Sequence, residues 1–73
     1  MKFNYNDVVM VRIKDDTGNI GKKPGWVVCM EPVEIENDEQ VRHFGFPIGS
    51  VVYTVEFQDG TDALVAESDL QLS

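Results

Sequence analysis

Seventy-three residues suffice for one domain and are too few for two cores, so residues 1–73 are expected to fold as a single unit. Hydrophobic residues at 42% and charged residues at 26% match ordinary globular domains, which excludes disordered and collagen-like chains. Thirteen acids against six bases set a formal charge of −7, a field that repels phosphate backbones and anionic membranes and favours basic partners.

Met1-Lys2-Phe3-Asn4-Tyr5-Asn6-Asp7 is polar where a signal peptide needs an unbroken apolar stretch, and no apolar run approaches the roughly 20 residues that cross a bilayer. A soluble, cytoplasmic protein is expected. Val8-Val9-Met10-Val11-Arg12-Ile13 is rich in β-branched residues and reads as the first strand. Lys14 to Gly25 contains three glycines and Pro24, which oppose a regular ladder, and reads as a long loop. Trp26-Val27-Val28-Cys29-Met30 is the second strand, with Trp26 expected in the core, and Pro32 ends it. Cys29 is the single cysteine, so no intrachain disulfide can form; it is read as a small buried apolar residue in a reducing compartment.

Residues 31–50 begin acidic and become aromatic and glycine-rich. Glu34 to Arg42 has room for a short helical turn, an alternative that stays open, but Ile35 and Val41 make no convincing helical stripe, so the segment is read as a long loop between the second and third strands. From Val51 the pattern is plain: Val51, Tyr53, Val55 and Phe57 alternate with Val52, Thr54 and Glu56 at the two-residue period of a half-buried strand. Gln58-Asp59-Gly60 then fits a type I turn followed by a glycine bulge. That register sets Phe57 opposite Thr61, Val55 opposite Ala63 and Tyr53 opposite Val65, and points Asp62 outward. Glu67-Ser68-Asp69 has the length of one tight turn, and Leu70-Gln71-Leu72 reads as a closing strand. The predicted fold is all-β, a small closed barrel of five strands, which leaves no open sheet edge.

Tyr53-Thr54-Val55-Glu56-Phe57-Gln58-Asp59-Gly60, followed by Val65 and Leu70, resembles the strand–hairpin–strand pattern of SH3-like barrels of the Tudor and KOW kind. Gly25-Trp26-Val27-Val28 is similar to their second strand. The layout from Phe3-Asn4-Tyr5-Asn6-Asp7-Val8-Val9 through Gly25-Trp26-Val27-Val28 to Tyr53-Thr54-Val55 and Asp69-Leu70 also resembles a family of small bacterial immunity proteins. The resemblance implies a cytoplasmic inhibitor of a cognate polymorphic toxin, and it carries no contact residue over to this chain. Residues 31–50 depart from that pattern.

No constellation of side chains points to catalysis. His43 is the only histidine and lacks zinc-ligand or triad companions; Asp15-Asp16 and Asp38-Glu39 are adjacent acids of the sort that stay solvated. Gly18-Asn19-Ile20-Gly21-Lys22-Lys23 lacks the glycine spacing and following helix of a phosphate loop. Arg12, Lys14, Lys22 and Lys23 make at most one basic edge. Neither a metal nor another cofactor is expected. Glu34, Glu36, Asp38 and Glu39, with only Arg42 to neutralise them, precede Phe44 and Phe46, expected to be exposed; these six form the candidate partner-binding site. The functional expectation is a non-enzymatic protein-binding module with a basic protein partner, such as an immunity protein. The alternatives are an accessory barrel of a larger enzyme complex and a weak nucleic-acid-binding barrel.

Overall fold

A computed structural model describes residues 2–73. Strands β1 (Val8–Lys14) and β2 (Ile20–Val27) form an antiparallel hairpin with Val8 opposite Trp26 and Lys14 opposite Ile20. The connecting turn closes on Asp15, whose carboxylate accepts hydrogen bonds from the Thr17 and Asn19 amides, both at 2.9 Å, and from the Thr17 hydroxyl at 2.7 Å. Gly18 takes the left-handed conformation that the turn requires, φ 88°. The second strand therefore starts at Ile20 rather than at Trp26, and it ends at Val27 rather than Met30. Its first half pairs with β1 alone and lies largely in solvent, so it shows no apolar alternation. Pro24 is tolerated because pairing to the next strand begins only at Gly25.

Strand β4 (Val51–Phe57) is the hub. Its last residues pair with β2, Gly25 opposite Phe57 and Val27 opposite Val55, while β3 (Val33–Glu34) occupies the same edge nearer its start. This extra strand arises because β2 reaches only the end of β4 and leaves the remainder of that edge free. Strand β5 (Asp62–Ala66) covers the opposite edge in the predicted register, with Tyr53 opposite Val65, Val55 opposite Ala63 and Asp62 exposed. The hairpin turn is the expected one: Phe57 N–H donates to Thr61 C=O at 2.8 Å, and Gly60 has φ 86°. A 3₁₀ turn at Glu67–Asp69 leads into β6 (Leu70–Leu72), which pairs with β1.

The fold is mostly β, as expected, but the described residues form six strands rather than five and one short helix, and the barrel does not close. The strands make a curled antiparallel half-barrel, because the 3₁₀ turn carries the chain from β5 to β6 without any pairing between those two edges. The architecture is compatible with an SH3-like barrel. Among the described residues no helix is long and apolar enough to cross a membrane.

The concave face buries Phe3, Val9, Val11, Val27, Tyr53, Val55, Phe57, Val65 and Leu70 in one core. Trp26 is a correction: it lies opposite Val8 on the outer face and is only half-buried. Its neighbour Gly25 is buried, and a Cβ there would lie 2.7 Å from the Glu56 carbonyl oxygen. Tyr53 has no exposed surface; the Phe3 ring meets it edge-on at 5.5 Å. The Tyr53 hydroxyl donates to the Glu67 carboxylate at 2.8 Å and accepts from Phe3 N–H at 3.4 Å. Burial, reinforced by the Glu67 carboxylate, pushes this phenol above its ordinary pKa.

Two predictions arise from these elements. Val65→Ala is expected to lower stability by about 2 kcal/mol, since a buried valine loses both transfer free energy and packing. Thermal or urea denaturation checks it, and an unchanged transition would contradict the inward register of β5. The second concerns pH. Asp59 repeats the Asp15 arrangement, accepting from the Thr61 hydroxyl at 2.6 Å and the Thr61 amide at 3.0 Å. In both turns the threonine hydroxyl is the largest influence holding the carboxylate below its ordinary pKa of 3.8. A depressed folded-state pKa means that the stabilisation is present above 3.8 and is lost as pH falls through the lower, folded value. Side-chain carboxyl NMR titrations of Asp15 and Asp59 should have midpoints below 3.8; midpoints at or above it would remove the effect.

Candidate functional site

After β2 the chain turns away from the barrel core. Val28 N–H still donates to Thr54 C=O at 2.9 Å, and Cys29 is half-buried against the core, outside any strand. Beyond β3, residues 38–44 form helix α1 (Asp38–Phe44) where a loop was expected. Local capping explains it. The Asn37 side chain accepts from Gln40 N–H at 2.9 Å, and the Gln40 side chain accepts from Glu36 N–H at 2.6 Å. Gly45, at φ 80°, ends the helix with its N–H donating to Val41 C=O at 2.9 Å. Asp38 and Glu39 in the first turn and Arg42 and His43 in the last complement the helix dipole.

A seven-residue helix with no fully buried side chain cannot persist alone. It is held by a neck: Ile35 N–H donates to Ser50 C=O and Gly49 N–H to Ile35 C=O, both at 2.9 Å. Ile35 and, on β4, Val52 are each 2% exposed and lie outside the main core cluster. Val52 is on the face of β4 opposite Tyr53 and Val55, so strand alternation by itself would have left it in solvent. Residues 35–50 thus form a clasped excursion from the half-barrel.

The excursion and its root gather the candidate acids. Glu34 is exposed on β3, Glu36 is exposed just before the helix cap, and Asp38 and Glu39 are exposed in the first helical turn. None of the four takes part in an ion pair; the one ion pair among the described residues is Lys23–Asp59 at 3.6 Å. The aromatic half of the site needs correction. Phe44 and Phe46 are half-buried rather than freely presented, and Phe44 meets the His43 ring edge-on at 4.7 Å. Ile48 is a residue the sequence reading missed: it is 58% exposed and borders a shallow depression of about 390 Å³ with Gly49, Ser50, Val51, Ala66 and Glu67. Its signal was faint, a lone isoleucine between Pro47 and Gly49.

The other candidates are dispersed. His43 is exposed in the last turn of α1, and among the described residues no group of three or more His, Cys, Asp or Glu is placed to hold a metal ion. The basic residues of the first hairpin divide between its faces. Lys23 lies opposite Val11 on the inner side, with its ammonium 4.3 Å from the Phe57 ring centre, whereas Arg12, Lys14 and Lys22 belong to the outer face. Comparison with known proteins places no relative beside this arrangement: no protein-family model, no curated protein and no solved structure matches the chain.

Proposed function

We propose that the chain is a non-enzymatic protein-binding module that receives a basic protein partner on its acidic excursion, in the manner of an immunity protein on an SH3-like barrel. One observation carries this reading: Glu34 at the root of a short, clasped unit and Glu36, Asp38 and Glu39 on it stand exposed and, among the described residues, without ion-pair partners. Asp38 and Glu39 also serve the helix N-terminus, but Glu34 and Glu36 have no such structural task. With a net charge of −7 behind them, the acids steer a cationic surface, and the open portions of Phe44, Phe46 and Ile48 offer it apolar contact.

The test takes the purified product of the adjacent gene as probe and measures association and dissociation rates separately. The variant E34Q/E36Q/D38N/E39Q is expected to associate about tenfold more slowly at low salt, with little change in dissociation. Phe46→Ala is expected to do the reverse, since a contact that forms after encounter acts on dissociation. Unchanged association of the acid-to-amide variant, or failure of the probe to bind the wild-type chain, would overturn the proposal.

A further inference from the structure

The outer face of the first hairpin has a composition unlike the rest of the molecule. Register places Val8, Met10, Arg12 and Lys14 of β1 on that face, opposite Trp26, Pro24, Lys22 and Ile20 of β2. Five of these eight positions are apolar, three are cationic and none is acidic, in a chain with thirteen acids. The arrangement is ordered: the pairs Val8–Trp26 and Met10–Pro24 make an apolar end, and Arg12–Lys22 with Lys14–Ile20 make a cationic end. Val8 and Ile20 are each 56% exposed. Met10, Arg12, Ile20 and Lys22 also line a depression of about 340 Å³ against Asp69 and Gln71.

Directly opposed like charges repel across an antiparallel pair, yet Arg12 faces Lys22 with Lys14 two residues along the same strand. Lys22 donates to the neutral Gln71 side chain at 2.6 Å. Asp69 beside the depression forms no ion pair with any of the three, and Glu56, opposite Trp26 on β4, borders the apolar end. Among the described residues the three cations thus form no ion pair. Their spacing of about 5 Å across the strands and about 7 Å along β1 suits side chains of an extended peptide at alternate positions.

We infer that this face docks an extended acidic protein segment, its carboxylates on Arg12, Lys14 and Lys22 and its apolar residues over Val8, Met10 and Trp26. Charge complementarity favours an anion, and the adjoining apolar half favours a peptide over nucleic acid. A polyanion would meet only these few cations and then the field of a protein with charge −7. The inference does not depend on the acidic excursion, whose residues are all different.

The experiment uses the full chain, isotopically labelled for NMR, and a fluorescent peptide with Asp-Glu-Asp at one end and Leu-Pro-Phe at the other. Amide signals of residues 8–14 and 20–26 and the Trp26 indole should shift on titration, while signals of α1 stay in place. R12Q/K22Q should weaken binding about tenfold or more, and the peptide carrying amides in place of its acids should weaken it similarly on the unaltered protein. The second comparison holds even if the double variant folds poorly. Absence of shifts on this face, or stronger binding of a single-stranded oligonucleotide of equal charge, would overturn the inference. So would the same shifts appearing with protein concentration alone, which would assign the face to a second copy.

Discussion

Gly25→Ala is expected to remove about 3 kcal/mol of folding stability, although alanine ordinarily improves a strand relative to glycine by roughly 0.5–1 kcal/mol. The reason is space. A Cβ at residue 25 would lie 2.7 Å from the Glu56 carbonyl oxygen, 2.8 Å from Val55 Cγ1 and 3.3 Å from Phe57 Cδ1. The first of these is backbone in the ladder between β2 and β4, so the clash cannot be relieved by rotating a side chain. β2 must therefore move away from β4, which opens the pairs Gly25–Phe57 and Val27–Val55 and disturbs the packing of Val55 and Phe57. A chain of this length has a total stability of roughly 4–11 kcal/mol, so the loss is a large share of it. Urea denaturation would show a lower midpoint at similar slope. A midpoint equal to wild type would mean that the strands are not packed this closely.

Tyr53 gives the other large effect, and it divides into two parts. Tyr53→Ala empties the centre of the core and is expected to lose about 4 kcal/mol, in the range found for buried aromatic truncations. Tyr53→Phe keeps the ring and its edge-on contact with Phe3 but removes the hydroxyl that joins β4 to Glu67 and to the Phe3 amide. That change is expected to lose about 1 kcal/mol, because Glu67 is only half-buried and regains water when its donor is gone. Combining Tyr53→Phe with Glu67→Gln should therefore give less than the sum of the separate losses. Strict additivity would show that the hydroxyl and the carboxylate are not coupled.

The legible parts of the fold were those whose alternation or turn residues show in the local sequence. The period-two run Val51–Phe57 and the bulge at Gly60 set the β4–β5 register, and the tight turn at Glu67–Asp69 and the strand at Leu70–Leu72 followed in order. β2 was hidden because its exposed first half, Ile20-Gly21-Lys22-Lys23-Pro24, has the composition of a turn. Helix α1 was hidden because it buries no residue fully and so writes no apolar stripe; its signals were instead the caps, Asn37 with Gln40 and then Gly45. Of the candidate site, the exposed acids could be read from charge alone. The half-burial of Phe44 and Phe46 could not, since it depends on how the excursion settles against strands distant in sequence.

The clasp at Ile35, Gly49 and Ser50 bears on how such a chain can change over generations. Closing a flexible segment becomes more costly only with the logarithm of its length, about 0.6 kcal/mol for each doubling. Once the neck bonds and buried Ile35 are kept, residues between them can be added, removed or exchanged while the half-barrel's ladder is left alone. Selection on the excursion is thereby separated from selection on the strands: one can drift or diversify at the tip while the other is held fixed by packing.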